Sequence, residues 1–451
     1  MIVSSTIRSF LPLVFCAIVV FFASSCAKHS VERPPLERQH DLSDSALLDI
    51  VQRQTFRYFW NFSDPVSGMA RERSDTNFGY GHEVAAVGGT GFGVMSVIVA
   101  AERKWITRDT ASKFLLHTVK FLSNAETYHG AFPHWMNGAT GKTIPFSSND
   151  DGADIVETAY LFQGLLSARQ YFDRDDPIEE ELRRRIDTLW NAVEWNWFTQ
   201  NGQDVLYWHW SPNVGWAMNN PIRGYNECLI TYVLAASSNT FAIEPKVYHN
   251  GWTASEHFIN GKKYYGMKLA LGFEFGGPLF FSHYSFLGLD PRGLKDRYAD
   301  YWEQNTNHTL INRAYCIQNP KSFKGYGENC WGLTASDTYD GYAANAPGED
   351  NGTISPTAAL SSFPYTPENS MKALRHFYDD LGDRLWSEYG FVDAFNETHE
   401  WTAGSHLAID QGPIIVMIEN YRSGLLWNLF MSAPEIQQGL KKLGFSSPHI
   451  K

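Results

Sequence analysis

The stretch Tyr207–Glu227, YWHWSPNVGWAMNNPIRGYNE, puts four aromatic side chains, Tyr207, Trp208, Trp210 and Trp216, within ten residues, among Ser211, Pro212, Gly215 and Pro221. The spacing has no helical period, and only Tyr207–Trp210 alternates as a strand would. So much flat apolar surface in turn-rich chain reads as platforms lining a cleft, where sugar rings stack their C–H groups on π faces. An irregular core segment is the competing reading. At the end of the loop Glu227 opens the apolar run Cys228–Ala236, so a long aromatic loop delivers a carboxyl to a helix start.

The same alternation of loop and helix recurs along the chain. Ser43 or Asp44 can cap a helix running to about Trp60, with Leu47, Leu48, Val51, Phe56 and Phe59 on related faces. Further helices are predicted over Gly91–Lys104, Arg108–Ala125, Ile155–Tyr171, Ile178–Trp195, Glu227–Ser237, Gly293–Ile317, Pro367–Leu381, Gly412–Tyr421 and Pro434–Leu443, with two more around Thr253–Phe258 and Leu425–Phe430. The intervening loops, such as Gly68–Thr90, Tyr128–Asp151, Asn201–Asn226, Phe323–Ser362 and Glu388–Gln411, are longer than compact domains keep without a use for them. Paired helices with long loops gathered on one face predict an all-α chain, an (α/α)6 toroid with minor β structure. No fixed 34-residue period supports a binding solenoid. The glycine-rich Gly88-Gly89-Thr90-Gly91-Phe92-Gly93 lacks the preceding strand of a phosphate loop and is read as a tight loop feeding a packed helix.

Residues 1–25 read as a secretion signal: Arg8, then the short apolar run Phe10–Ala23, then Ala23-Ser24-Ser25-Cys26. The last four residues resemble a bacterial lipoprotein cleavage site, making Cys26 the lipidated N-terminus and residues 26–43 a tether to one catalytic-sized domain at 44–445. Acyl chains would hold the protein on a membrane, outer membrane and periplasmic face being expected, with the globular part soluble. The formal charge of −12 becomes −13 once Arg8 leaves with the signal, and no basic run occurs, which argues against nucleic acid and polyanionic partners. Cys228, Cys316 and Cys330 remain without CxxC or Cys/His metal spacing; three buried thiols are favoured over a Cys316–Cys330 disulfide.

Four constellations carry carboxylates. In NDDGADIVE, Asp150, Asp154 and Glu157 follow i, i+4, i+7 spacing and would share one helix face, each raising the others' pKa, while Asp154 with Glu157 also fits a capping box. In RGYNE, Glu227 beside tryptophans would have its pKa lifted toward that of a general acid. Glu328, Trp331, Asp337, Glu349 and Asp350 could supply sugar hydrogen bonds, and Asp410 of AIDQGP precedes an apolar helix, a position that also suits a cap. No GxSxG, P-loop or HExxH occurs, the histidines are scattered without ligand spacing, and neither metal nor cofactor is expected.

The segments RGYNEC, FKGYGENCWGLTASD, GTISPTAALSSFPYTPE and AIDQGPIIVMIENYRSGLLW resemble the glucoamylase-like bacterial proteins of glycoside hydrolase family 144, over about Asp44 to Leu443. The resemblance implies the toroid and hydrolysis of β-1,2-glucan with inversion, giving sophorose or longer sophoro-oligosaccharides by endo or exo attack. It matches Glu227, Asp410, Asp150, Asp154 and Glu157 to cleft carboxylates. Trp208, Trp210, Trp216, Arg223, Tyr225, Glu328, Trp331, Glu349 and Trp401 are the expected substrate-binding set, in a monomer. A non-catalytic glycan-binding lipoprotein and a polysaccharide lyase on the same toroid are the alternatives, the lyase disfavoured because acidic, aromatic loops suit a neutral glucan.

Overall fold

The structure, a computed structural model, describes residues 36–450, so the signal segment and Cys26 lie outside the described residues. Thirteen α-helices are described: α1 (Asp44–Asn61), α2 (Val87–Glu102), α3 (Arg108–Leu122), α4 (Ile155–Tyr171), α5 (Pro177–Ala192), α6 (Leu229–Ser237), α7 (Tyr301–Gln318), α8 (Pro356–Leu360), α9 (Pro367–Arg375), α10 (Gly382–Leu385), α11 (Ala408–Arg422), α12 (Leu425–Met431) and α13 (Pro434–Lys442).

They form an (α/α)6 toroid. Helices α2, α4, α6, α8 and α11, with the 3-10 turns Leu279–Ser282 and Tyr284–Phe286, make an inner ring, in which α2 packs on α4 and α11, α4 on α6, and α11 on α8. Inner helices are buried on all sides and carry no polar face, because both sides meet protein. The outer helices are amphipathic. In α5, PIEEELRRRIDTLWNA, Leu182, Ile186 and Trp190 face inward and the charged residues cover the rest. Side-chain oxygens of Ser43, Thr107, Asp176 and Asp300 cap α1, α3, α5 and α7 by accepting backbone N–H groups of the first turn.

The glycine-rich segment departs from expectation. Gly88–Gly93 is the first part of α2 itself, not a loop before it. A Cβ on Gly91 would lie 2.2 Å from the Tyr160 carbonyl oxygen, and one on Gly164 would lie 2.1 Å from the Gly91 carbonyl oxygen. Helices α2 and α4 therefore cross backbone to backbone, closer than any side chain permits. Helix α7 also differs, starting at Tyr301 on an Asp300 cap after a loop containing Gly293 in the left-handed region. The helix expected around Thr253–Phe258 does not form; those residues make turns after a π-turn at Val247–Trp252. Cys228, Cys316 and Cys330 are buried free thiols.

The loops that enter inner helices α2, α4, α6, α8 and α11 converge. Arg73 bridges to Leu407, Ala153–Asp154 pairs with His209–Trp210, and the hairpin Ser336–Thr338/Gly341–Ala343 leans on Arg73 through Asp337. The N-terminal ends of inner helices thus face one cleft. Because the close α2–α4 crossing sets that geometry, Gly91→Ala should destabilise the fold by roughly 1–3 kcal/mol, the cost of overpacking. Gly348→Ala, with nothing within 4 Å of its added Cβ, should be neutral in the same chemical denaturation experiment.

Candidate active site

One acidic group gathers at the start of α4. Asp154 is its N-cap: Oδ1 accepts the N–H groups of Val156 and Glu157, both at 2.9 Å. Oδ2 accepts Trp208 Nε1–H at 3.1 Å and lies 3.0 Å from His134 Nδ1. Burial would raise its pKa, but hydrogen bonds from His134 and His209 hold it well below the usual carboxylate range. Burial works against a charge on His134 as well, yet Glu157 and the Asp154 hydrogen bond push its pKa up to about 10. Asp154 and His134 therefore form a part-buried ion pair, and Asp154 also holds the Trp208 indole.

Asp150 and Glu157 belong to this group but do not share a helix face with Asp154. The cap ends the helix at Ile155, leaving Asp150 in the turn Ser147–Asp150, where its Oδ2 lies 3.3 Å from His209 Nε2. Glu157 does not close a capping box either; its Oε2 accepts the Gly88 N–H at 2.7 Å, which the absence of a Gly88 side chain allows. Burial raises Glu157 to about 7. Ligand atoms of His134, Asp150 and Asp154 lie within 4.8 Å of one another, compact enough for a cation. His134 Nδ1 lies 3.0 Å from Asp154 Oδ2, within hydrogen-bond distance of the capping carboxylate.

Glu227 sits two residues before α6, half-buried, with its backbone carbonyl held by the Ser285 hydroxyl. Burial, then the charges of Asp154 and Glu157, pushes its carboxyl up to about 7. Asp410 lies inside the first turn of α11, not at the end of a loop before the helix as expected, and is buried. Its Oδ1 accepts the Tyr284 hydroxyl at 3.4 Å, and burial pushes its pKa up to about 7. Glu227 and Asp410 both bear on the Tyr284 phenol, which stands between α6 and α11.

The Arg73 guanidinium is committed to other acids. Arg73 donates to Asp337 at 3.0 and 3.2 Å, to Glu72 at 3.1 Å and to Asp75 at 3.0 Å. Half-exposed Tyr342 on the adjoining hairpin overlooks Asp410, Asp393 and Asp337.

The aromatic and polar candidates divide. Trp210 and Trp216 are part-exposed and pack around Trp197, with ring centroids 5.3 and 4.7 Å away, while His129 stacks on Trp197 at 3.5 Å. Trp331 is a correction: it is fully buried among Leu279, Ile354, Ala358 and Ile414, since the chain around it packs α8 onto the core. Tyr225 is likewise buried, its hydroxyl donating to Asn305, and Trp401 is buried against Tyr339. Arg223, Glu328 and Glu349 are exposed, and among the described residues no hydrogen bond or ion pair joins their side chains to either acidic group. His134, His209, Asp393 and Tyr284 were not singled out by sequence. For Asp393 a signal existed, an acid inside the apolar run Phe391–Phe395.

The Glycoamylase sequence family matches residues 219–434. An endo-β-1,2-glucanase from Chitinophaga pinensis, solved with sophorotriose and glucose, is 56% identical with a TM-score of 0.88, covering 90% of this chain and 100% of that one. The chain belongs to glycoside hydrolase family 144. A curated exo-β-1,2-glucooligosaccharide sophorohydrolase (non-reducing end) from Parabacteroides distasonis is 46% identical over 425 residues. That match covers 90% of this family 144 chain, which spans 58% of the length of the relative. A Talaromyces funiculosus endo-β-1,2-glucanase, 10% identical with a TM-score of 0.57 and 89% coverage of each chain, shares the toroid alone.

The His134 ion pair in this family 144 site has a pH signature. A folded-state pKa of about 10, against an ordinary value of about 6.5, means its stabilisation is full below about pH 6.5 and lost as pH rises toward 10. The melting-temperature gap between wild type and His134→Gln should therefore be large at about pH 6 and shrink toward pH 10. A gap independent of pH would show that the imidazole is neutral in the fold.

Proposed function

We propose that this chain is an inverting glycoside hydrolase that cleaves β-1,2-linked glucose chains, releasing sophorose or short sophoro-oligosaccharides. The observation that carries the reading is the pair Glu227 and Asp410. These carboxyls come from the starts of two inner helices, form no ion pair among the described residues and are both lifted to about 7 by burial. Inversion needs one protonated and one ionised carboxyl set far enough apart, roughly 6.5–9.5 Å, to admit water.

Glu227 is the general acid. Its surroundings favour the neutral form, and its proton passes to the glycosidic oxygen as the C1–O bond breaks. Asp410 is the base that accepts a proton from the water attacking C1. Asp154, with both carboxylate oxygens occupied, orients Trp208 and His134, while the charges of Asp154 and Glu157 bear on Glu227 and favour its protonated form. Trp208, Trp210 and Trp216 offer sugar-stacking faces. The substrate class follows the names of the relatives, an endo-β-1,2-glucanase and a β-1,2-glucooligosaccharide sophorohydrolase. The signal-like N-terminus supports a periplasmic location with a lipid on Cys26 as the anchor, and Cys26→Ser should release the protein into the soluble fraction.

NMR analysis of products from linear β-1,2-glucan, beside β-1,3-, β-1,4- and α-1,4-glucans, tests substrate and anomeric outcome together. Glu227→Gln and Asp410→Asn should each lower kcat by about 10²–10⁴-fold with the fold intact, the size of acid–base contributions. Near-normal turnover in Asp410→Asn would move the base to Asp150 or Glu157. EDTA treatment should leave the rate unchanged, whereas loss restored by Ca²⁺ would make the His134–Asp150–Asp154 cluster a metal site. Trp216→Ala should raise KM with little loss of stability.

A further inference from the structure

Helix α6 has no capping side chain at its own N-cap, Cys228, and its first turn is held from elsewhere. Asn226 Oδ1 accepts the Cys228 N–H at 3.0 Å, and the hydroxyl oxygen of Ser285 accepts the Ile230 N–H at 3.0 Å. The same hydroxyl donates its proton to the Glu227 carbonyl. Ser285 is fully buried and so ties both ends of the turn from Glu227 to Ile230, from 55 positions further along the chain. Its neighbour Tyr284 reaches the second carboxyl: the phenol donates to Asp410 Oδ1 at 3.4 Å. The phenol ring is stacked on Phe280 at 4.9 Å between centroids, with Phe92 and Tyr160 at 5.5 and 5.8 Å. Gln163 of α4 holds the segment at two points, donating to the Tyr284 carbonyl at 2.9 Å and accepting the Gly288 N–H at 2.7 Å.

We propose that Tyr284 and Ser285 are positioning residues, a two-residue spacer that sets the two catalytic carboxyls in register: Ser285 locks the turn bearing Glu227, and Tyr284 aims Asp410. The inference rests on the reading of Glu227 as acid and Asp410 as base. Residues Tyr284–Phe286 form a 3-10 turn, in which successive side chains point about 120° apart, so adjacent residues reach two different inner helices. A link of this kind matters because inversion needs a set span between the carboxyls for the attacking water. A misplacement of about 1 Å can cost about 100-fold in rate. A phenol that donates to a carboxylate also favours its ionised form, so Tyr284 works against the burial that lifts Asp410. The other titratable groups facing Tyr284 and Asp410 are Glu227, Tyr160, Tyr342, Asp393, Asp337 and Glu72, and the Arg73 charge is shared by the last two with Asp75.

The test compares Tyr284→Phe and Ser285→Ala with wild type in the full chain on linear β-1,2-glucan, reading kcat, KM, the pH dependence of kcat/KM and melting temperature. Tyr284→Phe keeps the ring packing and removes one donor. Its kcat should fall about 10–100-fold with KM little changed. The acid limb of kcat/KM should move to higher pH, because Asp410 without the phenol holds its proton more tightly. Ser285→Ala frees the Glu227 turn without touching its carboxyl, so kcat should fall about tenfold or more with both limbs in place. A limb that does not move in Tyr284→Phe would overturn the proposal. So would a lowered melting temperature with wild-type kcat in either variant, the mark of a merely structural role. Should Ser285→Ala fail to fold, Tyr284→Phe decides alone. A different pattern marks failure of the underlying reading: near-normal turnover in Asp410→Asn removes the base assignment, whereas an inactive Asp410→Asn beside an unaltered Tyr284→Phe removes only the spacer.

Discussion

Burial of carboxyl groups at the N-terminal ends of the inner helices is the constraint on which this structure turns. Each helix start offers unpaired N–H groups and the positive end of a dipole, which accommodate negative charge. Too few cations reach the cleft to match the acids, so the acids sort by their partners. Asp154 has the α4 amides, an indole and His134, and stays ionised. Asp337 has Arg73. For Glu227, Glu157 and Asp410 burial outweighs every other influence, the His134 charge beside Glu157 included, and their pKa rises to about 7. Acids of one chemical type thus acquire different protonation states from local geometry alone, the division of labour a glycosidase requires.

The ring that brings these groups together depends on backbone contact. Gly91 and Gly164 let α2 and α4 cross without side chains between them, Gly88 opens an amide to Glu157, and Gly412 lets Phe92 pack against α11. Packing and chemistry are linked at α2, since the same glycine run that permits close approach also supplies a hydrogen bond to a cleft acid.

Helix positions were legible where caps and periodicity agreed. Ile155–Tyr171 was bounded as observed, and Ser43 capped α1, because a side-chain acceptor before an apolar run has few other uses. The glycine-rich stretch misled because propensity disfavours glycine inside helices, and only a facing helix, invisible in one sequence, reverses that preference. Glu227, Asp410 and the Asp150–Glu157 group were recognisable as acids beside aromatic or apolar runs. Their partners were not, because His134 stands 20 positions before Asp154 and Tyr284 stands 126 positions before Asp410. Tryptophan count gave no way to tell a core ring such as Trp331 from a part-exposed one such as Trp216, as burial is a property of the whole ring of helices.

Infrared titration of the carboxyl groups in the full chain tests the sorting most directly. The account predicts a protonated-carboxyl band that persists at about pH 6, titrates near 7 and weakens in Glu227→Gln and in Asp410→Asn. A spectrum with every carboxyl ionised by about pH 5, where unperturbed Asp and Glu have already lost their protons, would contradict it.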